Sequence, residues 1–305
     1  MRKKEDHGKL LIDPSEVEEV YLSILSRVRE LVFGEHKSIF TGSGFDFSGL
    51  REWQPGDRQS SIDWAHSTHT GFSPLIVREC VEERSVDVMI AADGSLSTRC
   101  GAENVMIGSI IAKVIATLGL SAVIFQDRVG LAVFGGNKDY FTELSKGGKN
   151  HVFNILELYQ TCRDRLEASK NESLAGVISG SLRRTSLVTI ISDFLFSDAG
   201  DIVKELADLK LAHDVFLVMI DASFAFKLPH ISCGWIECVD AETGRKVLLS
   251  RGEYSSMASR VKEYQDKVQG LAEKSGLEVL RVGPDKDNFQ NSIVDFFFER
   301  RLRKK

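Results

Sequence analysis

From residue 86 onward, short uninterrupted apolar runs alternate with longer stretches whose apolar side chains recur at three- and four-residue steps. Residues 86–92, 186–192, 214–221 and 277–282 carry no helical period and read as strands buried on both faces of a parallel sheet. Helical periodicity predicts helices over about 103–120, 150–166, 172–183, 198–212, 253–274 and 287–301. In the first of these, Val105, Ile107, Ile110, Ile111, Val114, Ile115 and Leu118 share the apolar face. Residues 128–134 and 138–144 flank Gly135-Gly136-Asn137 and predict a hairpin. Residues 235–240 and 246–250, around Glu242-Thr243-Gly244, predict a second. Strand and helix alternate throughout, which predicts an α/β fold: a doubly wound, mostly parallel sheet covered by helices on both faces.

Upstream of residue 86 the pattern is different. Residues 1–12 read as a disordered tail. Asp13-Pro14-Ser15 then opens a helix with Glu16, Glu18 and Glu19 at its positive end. Its stripe of Val17, Val20, Tyr21, Ile24, Leu25, Val28, Leu31 and Val32 ends near Gly34. Residues 36–84 lack periodicity, and Gly42, Gly44, Gly49, Gly56, Gly71, Pro55 and Pro74 break them into short extended pieces such as 75–81. The expected organisation is a tail at 1–12, a helix with a smaller loop-rich lobe at 13–83, the α/β domain at 84–285, and a closing helix with a basic end at 286–305.

Composition narrows the functional classes. A net charge of −5 gives the chain no general attraction to nucleic acid. Five cysteines, without a Cys-x-x-Cys pair or histidines at zinc spacing, suit a reducing compartment rather than a disulfide framework. No signal-peptide pattern is present. The most apolar stretch, 105–124, is interrupted by Gly108, Lys113 and Gly119, so a cytoplasmic chain without a membrane span is expected. Walker and dinucleotide fingerprints are missing, and Asp93-Gly-Ser-Leu-Ser97 lacks the second glycine of a nucleophile elbow.

The candidate chemistry sits where apolar runs end. Residues 86–92 run into Asp93, Ser95, Ser97 and Thr98, and residues 186–192 run into Asp193. Ligands of doubly wound sheets bind outside the carboxyl ends of the strands, so two such exits are candidates for one shared site. An oxygen cluster of this kind suits a hard cation. Asp, Ser and Thr ahead of a helix are equally the residues of a helix cap, and that reading stands beside the first.

Asp93-x-Ser95-x-Ser97 with Asp193 resembles the metal-ion-dependent adhesion site of von Willebrand factor type A domains. Upstream, Gly44-x-x-Phe47-x-x-Leu50-Arg51-Glu52-Trp53-Gln54-Pro55-Gly56-Asp57, then Ile62-Asp63-Trp64, Val77-Arg78-Glu79 and Glu82-Glu83-Arg84, resembles the bacterial domain of unknown function 58 family. That resemblance implies a type A-like domain behind a family-specific lobe. It also implies Mg²⁺ or Mn²⁺ held by Asp93, Ser95, Ser97 and Asp193, a carboxylate-bearing protein client, and work as an adaptor for a MoxR-type AAA+ ATPase in chaperone-like assembly. Where type A domains supply a threonine, the matching stretch is taken as Gly147-Gly148-Lys149-Asn150-His151, with the Asn150 amide oxygen in its place. Arg51, Arg78 and Arg84 are expected to pair with Glu52, Glu79, Glu82 and Glu83. Binding rather than catalysis is the reading. The competing readings are a metal-assisted hydrolase drawing its base from His66, His69 or His151, and a metal-free interaction scaffold.

Overall fold

Apolar runs with no polar face cannot border water, and the runs at 86–92, 186–192 and 214–221 form inner strands of the main sheet, whereas 277–282, expected to be buried on both faces, forms a half-buried strand at its edge. The structure, a computed structural model, describes residues 11–34, 45–57, 59–69, 71–82, 85–102, 105–135, 140–163, 173–196, 198–226, 235–239, 246–284 and 289–303. They form two bodies, Met1–Val28 with Val86–Lys305, and Arg29–Ser85.

In chain order the elements are helix α1 (Pro14–Gly34), then β1 (Phe45–Glu52), α2 (Trp64–His69) and β2 (Ile76–Glu82) of the lobe. The larger body continues with β3 (Asp87–Asp93), a small ribbon of β4 (Gly101–Ala102) and β5 (Val105–Met106), α3 (Ile107–Ile124), β6 (Arg128–Phe134), β7 (Tyr140–Lys146), α4 (Lys149–Arg163) and α5 (Leu174–Ser181). It closes with β8 (Leu187–Ser192), α6 (Ala199–Leu209), β9 (Asp214–Ile220), a hairpin of β10 (Trp235–Val239) and β11 (Lys246–Ser250), α7 (Arg251–Lys274), β12 (Glu278–Val282) and α8 (Phe289–Arg303). Both expected hairpins form, and their turns at 136–139 and 240–245 lie outside the described residues.

The main sheet has six strands in the order β12-β9-β8-β3-β6-β7. The ladders are parallel except for β6–β7, which is antiparallel. This is the doubly wound, mostly parallel α/β arrangement that the sequence predicts, and its winding reverses between β3 and β8. Every residue of β3 and β8 is buried. Alternate side chains take opposite faces. Met89, Ala91, Val188, Ile190, Leu217 and Met219 join one cluster with Leu174 and Ile178 of α5, Val203 and Leu206 of α6, and Val268 and Ala272 of α7. Helices α3, α4 and α8 cover the other face. There Phe216 meets Phe296 with ring centroids 4.9 Å apart, and Phe125 stacks on Phe297 at 5.9 Å.

Charge pairs close the amino edge of the sheet. Asp87 at the start of β3 accepts from Arg128 Nε and Nη2 at 2.8 and 2.9 Å and from Arg184 Nε at 2.8 Å. Burial pushes its carboxyl up, but the two guanidiniums outweigh that and hold it below the ordinary value of 3.8. Arg300 of α8, nearly fully buried, pairs with Asp214 and lies 3.0 Å from Glu278, so the last helix is fastened to β9 and β12.

Three boundaries differ from the sequence reading. Leu11 and Ile12, expected in a disordered tail, are buried; residues 1–10 lie outside those described. Through Val28, α1 belongs to the α/β body and not to the lobe. Val17, Val20, Ile24 and Val28 are buried, Glu16 lies 3.2 Å from Lys113 of α3, and Arg27 makes a two-pronged bond to Asp295 of α8 at 2.7 and 2.8 Å. Helix α3 starts at Ile107 because the β4–β5 ribbon occupies the residues before it. By length and composition α3 would pass for a membrane span despite Lys113, yet 78% of it is buried inside the body. A helix lying between a sheet and two other helices is apolar all round for that reason.

Candidate functional site

The carboxyl ends of β3 and β8 are adjacent, and the chain leaves them in opposite directions. Asp93 and Asp193 stand at these two ends, and both are fully buried. The β3–β8 ladder stops at Ala92–Ile191, so the strands part just before the two aspartates.

Each carboxylate is held by the turn that follows it, and that of Asp93 also by the end of β8. Asp93 Oδ1 accepts the Ser95 N–H at 2.8 Å, and Asp93 Oδ2 accepts the Ser192 hydroxyl at 2.5 Å. Ser192 Oγ in turn accepts the Phe194 N–H at 2.8 Å. Phe194 has φ +54, a left-handed conformation uncommon for a bulky residue, and its ring is buried in the core. Asp193 Oδ1 accepts the Leu195 N–H at 3.0 Å. The same turn recurs one strand further on, where Asp221 Oδ1 accepts the Ser223 N–H at 3.0 Å.

The serines complete the cluster. Ser95 Oγ and Ser97 Oγ lie 2.9 Å apart, and the loop carrying them is tied by Thr98 Oγ1 donating to the Ser95 carbonyl at 2.7 Å. Thus the structure brings Asp93, Ser95 and Ser97 together and sets Asp193 on the neighbouring strand exit. Cys100, at the end of the same loop, has its thiol pushed up by burial and by the Asp193 carboxylate. Two hydroxyls and a buried carboxylate are oxygens of the kind a hard divalent cation takes. Among the described residues no group of three or more His, Cys, Asp or Glu side chains converges. A cation here would therefore rely on the Asp93 carboxylate, hydroxyl oxygens and water.

Asn150 does not join them. Strand β7 is antiparallel to β6 and carries the chain back to the amino edge of the sheet, where Lys146 faces Val129. Asn150 lies in the next turn, exposed on α4, a full strand length from the aspartates. Its neighbours mark the same edge: His151 Nε2 is 3.0 Å from the Val129 carbonyl, and Lys149 Nζ donates to Glu18 of α1 at 2.8 Å. This removes Asn150 from the ligand set and His151 from the candidate bases. The far end of α4 is the part that reaches the site, where Tyr159 donates its hydroxyl to the Asp93 carbonyl at 2.8 Å.

Three residues that sequence reasoning does not single out therefore belong to the site: Ser192, Tyr159 and Gln265. Buried on α7, Gln265 donates from Nε2 to the Asp193 carbonyl at 2.8 Å and to the Ile220 carbonyl at 2.7 Å. Ser192 stands beside Asp193 in the sequence and carries a signal; the other two are distant in the chain and carry none.

The upstream motif builds the lobe. Gln54-Pro55-Gly56-Asp57 forms a tight turn, with the Asp57 N–H donating to the Gln54 carbonyl at 3.0 Å. Gly56 has φ +113, which a side chain would strain, and Pro55 precedes it as such turns favour. Arg51 pairs with Asp57 through two bonds of 2.7 Å and donates to the Glu52 backbone carbonyl. That hydrogen-bonded pairing lowers the Asp57 carboxyl to about 2. Asp63 caps α2, accepting the His66 N–H at 3.1 Å with its other oxygen 3.0 Å from His66 Nδ1. Trp64 is 58% exposed. Arg78 and Glu79 fall in β2, while their side chains and those of Glu82, Glu83 and Arg84 lie outside those described, as does Gly44.

A doubly wound α/β domain with an oxygen cluster at its switch point, joined to a small turn-rich lobe, defines the class. The chain belongs to the family described as "Protein of unknown function DUF58", whose model matches residues 49–269. It is similar to uncharacterized protein Rv1480 of Mycobacterium tuberculosis, at 23% identity over 291 residues that cover 92% of this chain and 87% of that protein. Among solved structures it is similar to the conserved hypothetical protein BatB from Bacteroides thetaiotaomicron, with a TM-score of 0.45, 15% identity, and coverage of 72% of this chain and all of that one. It is also similar to the SpRpn10 VWA domain, with a TM-score of 0.37, 10% identity, and coverage of 70% and 95%.

Proposed function

We propose that this chain is a protein-interaction module that binds through a divalent cation at the carboxyl edge of its sheet. Asp93, Ser95 and Ser97 would hold Mg²⁺ or Mn²⁺, with Asp193 supporting it. The observation that carries the reading is the pair of hydroxyls 2.9 Å apart beside the fully buried Asp93 carboxylate, at the point where the winding reverses. When bound, the cation supplies a positive centre that attracts a carboxylate from a client protein. The chain's part is to hold the site negative and shaped: Ser192 fixes the Asp93 carboxylate, and the Thr98 bond fixes the serine loop. Leu96, between the two serines and 37% exposed, adds an apolar contact at the rim. The adaptor role beside a MoxR-type AAA+ ATPase, in the cytoplasm, is part of this proposal and rests on family membership. Co-purification of the two from one cell tests it.

The test of the cation reading is calorimetric titration of Mg²⁺ and Mn²⁺ into chelator-treated protein, wild type beside Asp93→Ala. Saturable binding that disappears in the variant is expected. Equal heats from both proteins, or none from either, would overturn the reading. The hydrolase alternative loses His151, which is committed to the opposite edge.

A further inference from the structure

We infer that Tyr159 and Gln265 are positioning residues for the cation site, each gripping the backbone of one of its aspartates from an opposite helical layer; this rests on the cation reading proposed above. Both side chains are fully buried, and each ends on the backbone carbonyl of one aspartate.

On one side, the Tyr159 hydroxyl reaches from α4 to the Asp93 carbonyl at 2.8 Å. On the other, the β8–β9 ladder ends at the pair Ser192–Met219, and the next two residues, Asp193 and Ile220, no longer pair. Gln265 fills that fork from α7. Its two amide hydrogens go to the Asp193 and Ile220 carbonyls at 2.8 and 2.7 Å. Its oxygen faces two donors, the Ala222 N–H at 3.4 Å and Arg281 Nη2 at 3.2 Å. Carbonyls on one side and donors on the other leave the amide a single orientation. Arg281 extends the network, donating to Asp266 at 2.5 Å and lying 3.6 Å from Asp221 at the neighbouring strand exit.

A buried amide with its whole hydrogen-bonding capacity used is a rigid spacer. Here it sets the separation of two strand ends, one of which carries Asp193. Tyr159 does the same for Asp93 on the far face. The site's geometry is thus set jointly by α4 and α7, neither of which supplies a ligand. Losing an outer group that orients a metal's ligands typically costs about 10–100-fold in affinity.

The test uses the full chain with Mn²⁺ as probe, monitoring free Mn²⁺ by electron paramagnetic resonance. Tyr159→Phe removes one hydroxyl and nothing else. Gln265→Met keeps length and removes both donors. Val268→Ala, on the same helix but in the core shared with α6, controls for loss of stability alone. The expected result is an affinity lower by about tenfold or more in Tyr159→Phe and Gln265→Met, and within about twofold of wild type in Val268→Ala. Wild-type binding with unchanged affinity in Tyr159→Phe and Gln265→Met overturns the inference while leaving the cation site standing. So does an equal loss in Val268→Ala. If wild type itself does not bind Mn²⁺, the cation reading falls and this one with it. Should Gln265→Met fail to fold, Tyr159→Phe decides alone.

Discussion

Ser192→Ala is the sharpest single perturbation of this structure. The hydroxyl is fully buried, donates to Asp93 Oδ2 at 2.5 Å and accepts the Phe194 N–H at 2.8 Å. Deleting it removes a hydrogen bond to a carboxylate, worth about 1.5–3 kcal/mol, and leaves a buried N–H short of a partner, at about 1–3 kcal/mol. The two losses share one atom and partly overlap, so the expected destabilisation is about 3 kcal/mol. In a body of this size each kcal/mol lowers Tm by about 2–4 °C, which predicts a drop of about 6–12 °C. The assay is thermal and urea melting of wild type, Ser192→Ala, Asp93→Asn and the double variant. A coupling of about 1–2 kcal/mol between the two positions is expected of residues in direct contact. A Tm loss under about 2 °C, or strictly additive losses, would refute the claim that Ser192 holds the Asp93 carboxylate.

Other consequences are as specific. Asp87 is held below its ordinary value in the folded chain by Arg128 and Arg184, against its burial, so its contribution to stability is complete above pH 3.8 and is lost as pH falls through the lowered value. Urea melts at stepped pH should show a smaller acid loss in Asp87→Asn than in wild type; identical profiles would contradict the pairing. Asn150→Ala should leave Mn²⁺ affinity unchanged by calorimetry, since Asn150 lies at the amino edge, and a clear loss would return it to the site. Trp64→Ala removes a side chain that is 58% exposed, so its urea melting curve should overlay that of wild type. Val77→Ala in the lobe, where the side chain is 1% exposed, should by contrast cost about 1–3 kcal/mol in the same assay.

The sheet is legible because burial on both faces leaves a simple mark: an apolar run that ends abruptly. Residues 86–92 and 186–192 announce β3 and β8 in this way, and the aspartates after them announce the site. Asn150 is misplaced in the sequence reading although the hairpin of β6 and β7 is visible in its glycines. A hairpin returns the chain to its starting edge, so the segment after it cannot border the carboxyl ends. The body to which α1 belongs is not legible, because an amphipathic stripe says that a helix packs, not on what. Tyr159 and Gln265 leave no trace, since each acts on a backbone carbonyl dozens of positions away. In the lobe, the β1–β2 pair is hidden by Gly49 and the charges of β1, whose register shifts between Phe47 and Gly49. The capping of α2 by Asp63 is hidden by the brevity of that helix.

A divalent cation at the carboxyl edge between β3 and β8 is the claim on which the rest depends. Anomalous diffraction from crystals grown with Mn²⁺ tests it most directly. The predicted result is one strong peak bounded by the Ser95 and Ser97 hydroxyls and the Asp93 carboxylate, missing from crystals of Asp93→Ala. A peak only elsewhere, or an edge filled by water at saturating Mn²⁺, would contradict it.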